Sequence, residues 1–271
     1  MGEQLYVLGD VVSQAYVSLP GIAGFYANTP DSAALSITGD IDIRVKCALA
    51  DWTPMAYQTL MTKTGAPGHK SYSFYLNISV DAGKFVLGVS SDGTNTATAI
   101  STSANAIPDG TVKWARVTRV ASTGLVRFFT SDDGSAWTQL GTDVTAASGN
   151  IFDSDTAGEI GSASAGTVNM TTGKFYKVQI RNNALNDGTG IVFDADFTDK
   201  AFGSSFTESS ANAATVSVWP GCYEPTWLPA VALYGNAAHY GYEMKKLDAP
   251  EPAPKTTYPS ATGGTTWPVA R

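Results

Sequence analysis

Between residues 35 and 218 the chain repeats one pattern: a short run in which apolar and polar residues alternate, closed by a cluster of Gly, Asp, Asn or Ser. Side chains on a strand point to opposite faces in turn, so a period of two with turn residues between runs marks antiparallel strands that bury one face. In residues 41–49 the side chains of Ile41, Ile43, Val45, Cys47 and Leu49 share one face, while Asp42, Arg44 and Lys46 take the other, which is expected to be wet. The alternation returns at Tyr72, Phe74, Leu76 and Ile78, at Phe85, Leu87 and Val89, at Tyr176, Val178 and Ile180, and at Ile191, Phe193, Ala195 and Phe197. Residues 114–120 and 125–141 read as two further strands and a hairpin turning at Asp132, Asp133 and Gly134. No stretch in this region carries an apolar stripe of helical period with caps. About ten strands are expected, enough for two stacked sheets, and the lack of intervening helices favours an antiparallel sandwich or jelly roll over any α/β fold.

Composition bounds the function. Of the 271 residues, 43% are hydrophobic and 15% charged, so apolar burial outweighs ordering entropy over most of the length and disorder is excluded there. A formal charge of −7, with no basic run beyond Lys245 and Lys246, argues against a partner held through a phosphate backbone, and nucleic acid is excluded as a partner. The first residues, MGEQLYVLGDVV, lack the basic flank and apolar core of a secretory signal, and no run is long enough to span a bilayer. Synthesis as a soluble cytoplasmic product without membrane insertion is the expectation. Cys47 and Cys222 allow a disulfide in principle, but fit two buried thiols better in a chain without an export signal.

The ends differ from the middle. Residues 1–24 read as an N-terminal arm or edge strand and 25–222 as the jelly roll. Residues 223–271 read as a Pro-, Tyr- and Trp-rich C-terminal arm with one short helix within 231–247. Pro at that density does not pair in a sheet interior.

The ordered blocks TPDSAALSITGDIDIRVKCALADWTP, QTLMTK, SYSFYLNI, GKFVLGVS, VKWARVTRV, VRFFTSDDGSAWTQLG, EIGS and GKFYKVQIRNNAL resemble the laminin-G-like, concanavalin A-like jelly roll over about residues 25–220. Within that group, SAALSITGDIDIRVK, TSDDGSAWTQLG and the Gly-Lys-Phe strand look most like the domains of minor tail proteins of tailed actinobacteriophages. The resemblance implies a non-enzymatic virion protein, made in the host cytoplasm and fastened in multiple copies to other tail subunits by its arms. The jelly roll would then face outward toward host-surface carbohydrate. A capsid decoration protein of the same fold is the near alternative, and a carbohydrate-binding module or degenerate glycoside hydrolase the more distant one.

Hydrolases on this fold carry Glu-x-Asp-x-Glu on one strand, placing acid and nucleophile on one face. Here Glu3, Glu159, Glu208, Glu224, Glu243 and Glu251 are isolated, and only Asp194 and Asp196 form a same-face pair, read as a solvated strand face. No catalytic residue, cofactor or metal is assigned. Family members hold Ca²⁺ with loop aspartates, and Asp40, Asp51, Asp81, Asp92, Asp132, Asp133, Asp153 and Asp155 are the candidates; Asp is equally the default turn former, and none reproduces a closed calcium loop. His69 and His239 have no ligand or triad partner at a recognisable spacing, and Gly158–Gly161 lacks the strand-to-helix context of a phosphate loop. Aromatic side chains are the stronger lead, because a flat apolar ring with one polar atom suits sugar platforms and protein interfaces alike. Trp52 and Trp137 are the candidates for glycan contact, and Trp227, Tyr234, Tyr240, Tyr242, Tyr258 and Trp267 those for docking on a partner subunit.

Overall fold

The computed structural model describes residues 16–77, 81–198 and 205–218. Sixteen strands run through them in chain order: β1 (Val17–Pro20), β2 (Ala27–Thr29), β3 (Ile41–Leu49), β4 (Gln58–Thr64), β5 (Lys70–Leu76), β6 (Phe85–Val89), β7 (Ala97–Ile100), β8 (Lys113–Val120), β9 (Leu125–Ser131), β10 (Thr138–Gln139), β11 (Val144–Thr145), β12 (Gly158–Ile160), β13 (Thr172–Arg181), β14 (Ile191–Asp196), β15 (Ser205–Thr207) and β16 (Thr215–Val218). All pairings are antiparallel, and they sort the strands into two sheets, the two layers of a jelly-roll sandwich. The first sheet runs β1-β13-β3-β8-β9-β10, with β14 also on β13 and β11 also on β9. The second runs β15-β16-β2-β12-β4-β5-β6-β7.

The alternation in the sequence explains how the layers close. Ile43 pairs with Val117 on one side and Ile180 on the other, and Val45 with Ala115 and Val178, so the inner face of the first sheet is an unbroken apolar surface. Phe74 of β5, Phe85 of β6 and Phe128 of β9 bridge the layers, with ring centroids 5.6 to 6.4 Å apart. Such offset and edge-on contacts add to what area burial alone supplies. Where the chain leaves β12, Gly161 has φ +79°, and a Cβ there would lie 1.9 Å from Leu19 Cδ1; only glycine lets the first strand pack so closely.

Two expectations about faces need correction. In β13 the pairing register with β3 shifts between Phe175 and Lys177. The bulge turns Phe175 into the core beside Val178 and Ile180 and leaves Tyr176 half-buried outside it, under Lys46 Nζ at 5.6 Å. The face carrying Asp42, Arg44 and Lys46 is also not simply wet: Asp42 is 0% and Arg44 5% exposed, because side chains from β8, β13 and the β9–β10 hairpin lie over them. Ile78, Cys222, His239, the remaining arm aromatics and the helix expected within 231–247 lie outside the described residues. Cys47 is buried as a free thiol, and burial pushes its pKa up.

Candidate functional site

Register fixes what stands on the outer face of the first sheet. Arg44 is level with Arg116 on one neighbour and Gln179 on the other; Asp42 is level with Thr118 and Arg181; Lys46 is level with Trp114 and Lys177. Phe129 extends the row of Arg116 onto β9. Polar and aromatic groups thus form a lattice with about 4.8 Å between strands and about 6.8 Å between rows.

At its centre a single carboxylate holds two guanidinium groups. Asp42 accepts hydrogen bonds from Nε and Nη2 of Arg44, the latter at 2.7 Å, and from Nε and Nη2 of Arg116, the latter at 2.8 Å. Arg44 Nη2 also donates to Asn186 Oδ1 at 2.9 Å, tying the loop after β13 to the face. Arg181 donates to Gln179 Oε1 and to the Thr189 carbonyl; burial, with Arg44 and Arg116 nearby, lowers its pKa.

Over this cluster lies Trp137. Its ring stands 5.3 Å from Arg44 Cζ and 5.2 Å from Arg116 Cζ, and meets Trp114 edge-on at 6.3 Å. Arg116 also stacks on Phe129 at 4.9 Å. Cation–π contacts of this kind contribute about 0.5–2 kcal/mol each, more as they are desolvated. The hairpin between β9 and β10 aims the ring. Asp133 Oδ1 accepts from the Ser135 and Ala136 amides at 2.8 and 2.9 Å, and Gly134, at φ +78°, sits so close to Trp114 that a Cβ would lie 2.7 Å from its Cε2. A hydrogen bond from the Ser135 hydroxyl, together with those amides, holds the Asp133 carboxyl well below the usual carboxylate range. Trp137 itself is half-buried, so part of the indole still faces solvent.

Apart from this face, a concavity of about 490 Å³ lies by the loop before β3 and is lined by neutral groups including Ser36, Thr38, Asn182, Val192 and Asn212.

The other expected site residues divide clearly. Trp52 is 0% exposed, its Nε1 donates to the Thr111 carbonyl at 3.3 Å and its ring packs by Phe85; a ring inside the core offers no face to a glycan, so the expectation of contact there is corrected. Asp194 and Asp196 share Lys177 Nζ, at 2.9 and 3.7 Å. The loop aspartates make turns and ion pairs: Asp92 accepts from the Thr94 and Asn95 amides, Asp51 from Thr53, Asp40 from Ala121, while Asp81 pairs with Lys84, Asp132 with Lys113 and Asp155 with His69. Among the described residues no three His, Cys, Asp or Glu side chains gather as a metal site. Glu159 has a structural task. Its buried carboxylate accepts from Ser162 Oγ and the Ala165 and Gly166 amides, holding a turn in which Ser164 and Ala165 have φ 55° and 56°. Trp227, Tyr234, Tyr240, Tyr242, Tyr258 and Trp267 lie outside the described residues.

No protein-family model matches the chain, and no curated protein matches its sequence. Among solved structures, the fold is similar to that of a Bacteroides ovatus protein described only provisionally as carbohydrate binding, with TM-score 0.52 and 10% identity over 74% of this chain; the chain spans 58% of that protein's length. Looser similarity is found to the CBM40 domain of a Ruminococcus gnavus sialidase bound to α2,3-sialyllactose, with TM-score 0.42 and 17% identity, covering 66% of this chain and 95% of that one. Domains LG4-5 of the mouse laminin α1 chain give TM-score 0.42 and 18% identity, covering 71% of this chain and 48% of that one. At these identities the likeness is one of fold.

Asp42, Arg44, Arg116 and Trp114 were not singled out by sequence. The signal was present in part, since Asp42 and Arg44 share the polar face of one strand, but their convergence with Arg116 depends on a pairing 74 residues apart.

Proposed function

We propose that the chain is a non-catalytic glycan-binding jelly roll that uses the outer face of its first sheet, with Trp137 as the ring on which a sugar stacks. The observation that carries this reading is the seating of Trp137 over Arg44 and Arg116. An aromatic face held rigidly on a sheet, beside fixed donors, is what recognition of a flat, hydroxyl-bearing ring requires. The similarity in fold to the Bacteroides ovatus protein is consistent with it. The test is glycan-array binding and calorimetry on the full chain: Trp137→Ala removes binding and leaves the fold intact, and unchanged binding in that variant sinks the assignment.

The finer reading places this domain on a phage particle, as a minor tail protein or as a capsid decoration protein, with the residues before β1 and residues 223–271 docking on neighbouring subunits. Its support is the sequence resemblance. Mass spectrometry of purified particles from an infected culture tests it, and particles lacking the chain refute it.

A further inference from the structure

We propose that the concavity by the loop before β3 is a second saccharide site, which takes a neutral sugar and works independently of Trp137. Its volume of about 490 Å³ falls within the range of small-molecule sites, about 300–1,000 Å³. Polar side chains from three separate segments meet around it: Ser36 and Thr38 from the loop before β3, Asn182 from the loop after β13, and Asn212 from the turn between β15 and β16. Among the described residues the lining carries no charged side chain and no aromatic ring. The charged groups flanking these segments are engaged elsewhere. Asp31 pairs with Lys63 and Asp194 with Lys177, while Asp40 accepts from the Ala121 amide. Arg181 donates to Gln179 Oε1 with Asp187 near it, and Glu208 accepts from the Asp194, Ser210 and Ala214 amides.

The polar groups of the lining are held in place but not used up. Asn and Ser side chains in other turns close on their own surroundings: Asn183 Nδ2 donates to Thr189 Oγ1, Asn95 Nδ2 to Asp92, and Asn105 Nδ2 to the Gly83 carbonyl. In the concavity the backbone is fixed instead, the Thr38 carbonyl accepting from the Ile151 amide and the Asn182 amide donating to the Gly190 carbonyl. The Thr38 hydroxyl and the Asn182 carboxamide have no partner among the described residues. Asn212 Nδ2 donates to the Val192 carbonyl at 2.8 Å, which orients that carboxamide and leaves its oxygen as an acceptor. An ion would meet no opposite charge here, and a flat aromatic ligand no ring to stack on. Hydroxyls and carboxamides each donate and accept, so they match a ligand whose own groups do both, as the hydroxyls of a sugar do. Ala34, Ile37 and Val192 supply the small apolar surface that the C–H face of such a ring needs. The loop after β13 borders both sites, through Asn182 here and through Asn186, which accepts from Arg44, on the Trp137 face.

The experiment is saturation-transfer NMR on the full-length protein with glucose, galactose, mannose, N-acetylglucosamine and lactose, and with N-acetylneuraminic acid as the charged control. A site built on a few uncharged hydrogen bonds has a Kd on the order of 1 mM, below the reach of a washed array or of calorimetry at micromolar protein. At least one neutral saccharide is expected to bind Trp137→Ala protein, about tenfold more tightly than N-acetylneuraminic acid, and to lose about tenfold when Asn182→Leu and Thr38→Val are added. Ala34→Phe, which fills the concavity and alters no polar group, should have the same effect, with melting temperatures confirming that each variant is folded. Binding that survives these cavity variants overturns the proposal. Loss of all saccharide binding in Trp137→Ala alone also overturns it and leaves the Trp137 reading standing. N-acetylneuraminic acid binding as tightly as the neutral sugars overturns the neutral class. No signal from any of the six on folded wild-type protein overturns the cavity site, whereas array binding that Trp137→Ala removes still supports the Trp137 reading.

Discussion

Replacing Asp42 by Asn removes one negative charge while keeping the volume of the side chain. In the native protein that carboxylate is fully buried and holds Arg44 Nη2 at 2.7 Å and Arg116 Nη2 at 2.8 Å. In Asp42→Asn the guanidinium groups of Arg44 and Arg116 are left in a desolvated layer without the carboxylate they share. Breaking a buried pair by removing one partner costs about 3–5 kcal/mol, mostly the penalty of the charge left behind. In a domain of this size each kcal/mol lowers the melting temperature by about 2–4 °C, so a fall of roughly 10 °C is expected in calorimetry, with a matching drop in urea midpoint. Because the deficit is electrostatic, sulfate should raise the melting temperature of Asp42→Asn more than that of the wild type. Combining Asp42→Leu with Arg44→Met and Arg116→Met should recover most of the loss, since apolar side chains of similar volume replace buried ions at little cost. A loss below about 1 kcal/mol in Asp42→Asn would refute the view that this cluster is held together by one carboxylate.

Three further outcomes follow from the same structure. Trp52→Ala should destabilise by about 3–5 kcal/mol without altering glycan affinity beyond the unfolded fraction, whereas Trp137→Ala should do the reverse; equal effects of both on stability would contradict the placement of one ring in the core and the other on the face. Asp92, Asp133 and Asp143 have pKa values lowered by hydrogen bonds, from Asn95, from Ser135 and from Arg127 respectively, so their stabilisation is complete above the ordinary carboxylate value of about 4 and is lost as pH falls through the lowered folded-state values. The urea midpoint should therefore fall on acidification below that point, less steeply in Asp133→Asn; a midpoint that rises toward acid would show the sign to be wrong. Cys47, whose thiol is raised by burial, should resist a thiol-specific reagent in native Cys222→Ser protein and react on unfolding, and rapid native reaction would place it outside the core.

The sandwich was legible because its long strands bury one face, and a period of two over residues 41–49 or 72–76 is hard to mistake. Short strands were not. Ala27–Thr29, Gly158–Ile160 and Thr215–Val218 carry too few residues to show a period, and each is a strand because distant partners hold it: β2 lies between β12 and β16. The bulge at Tyr176 defeats alternation for a different reason, since one extra residue inverts the faces on either side of it. The site was half legible. Trp137 was a candidate through the turn that precedes it, but nothing local distinguishes its surroundings from those of Trp52; the arginines that make Trp137 distinctive come from β3 and β8. Polar alternation marked Asp42 and Arg44 as facing away from the core, and only the lattice of neighbours reveals that facing away is not the same as facing water.

One edge of the first sheet joins an early strand to late ones. Strand β13 pairs along one side with β3 and along the other with both β1 and β14, β1 covering Thr172–Phe175 and β14 covering Lys177–Arg181. During synthesis the segment Val17–Pro20 therefore waits for a partner made some 150 residues later, about 10–30 s at ordinary elongation rates. For that interval Val17 and Leu19, both buried in the finished sandwich, have no native place on the nascent chain. Strand β2 waits longer still, for β16, so both sheets close only when the far end of the sandwich has been made.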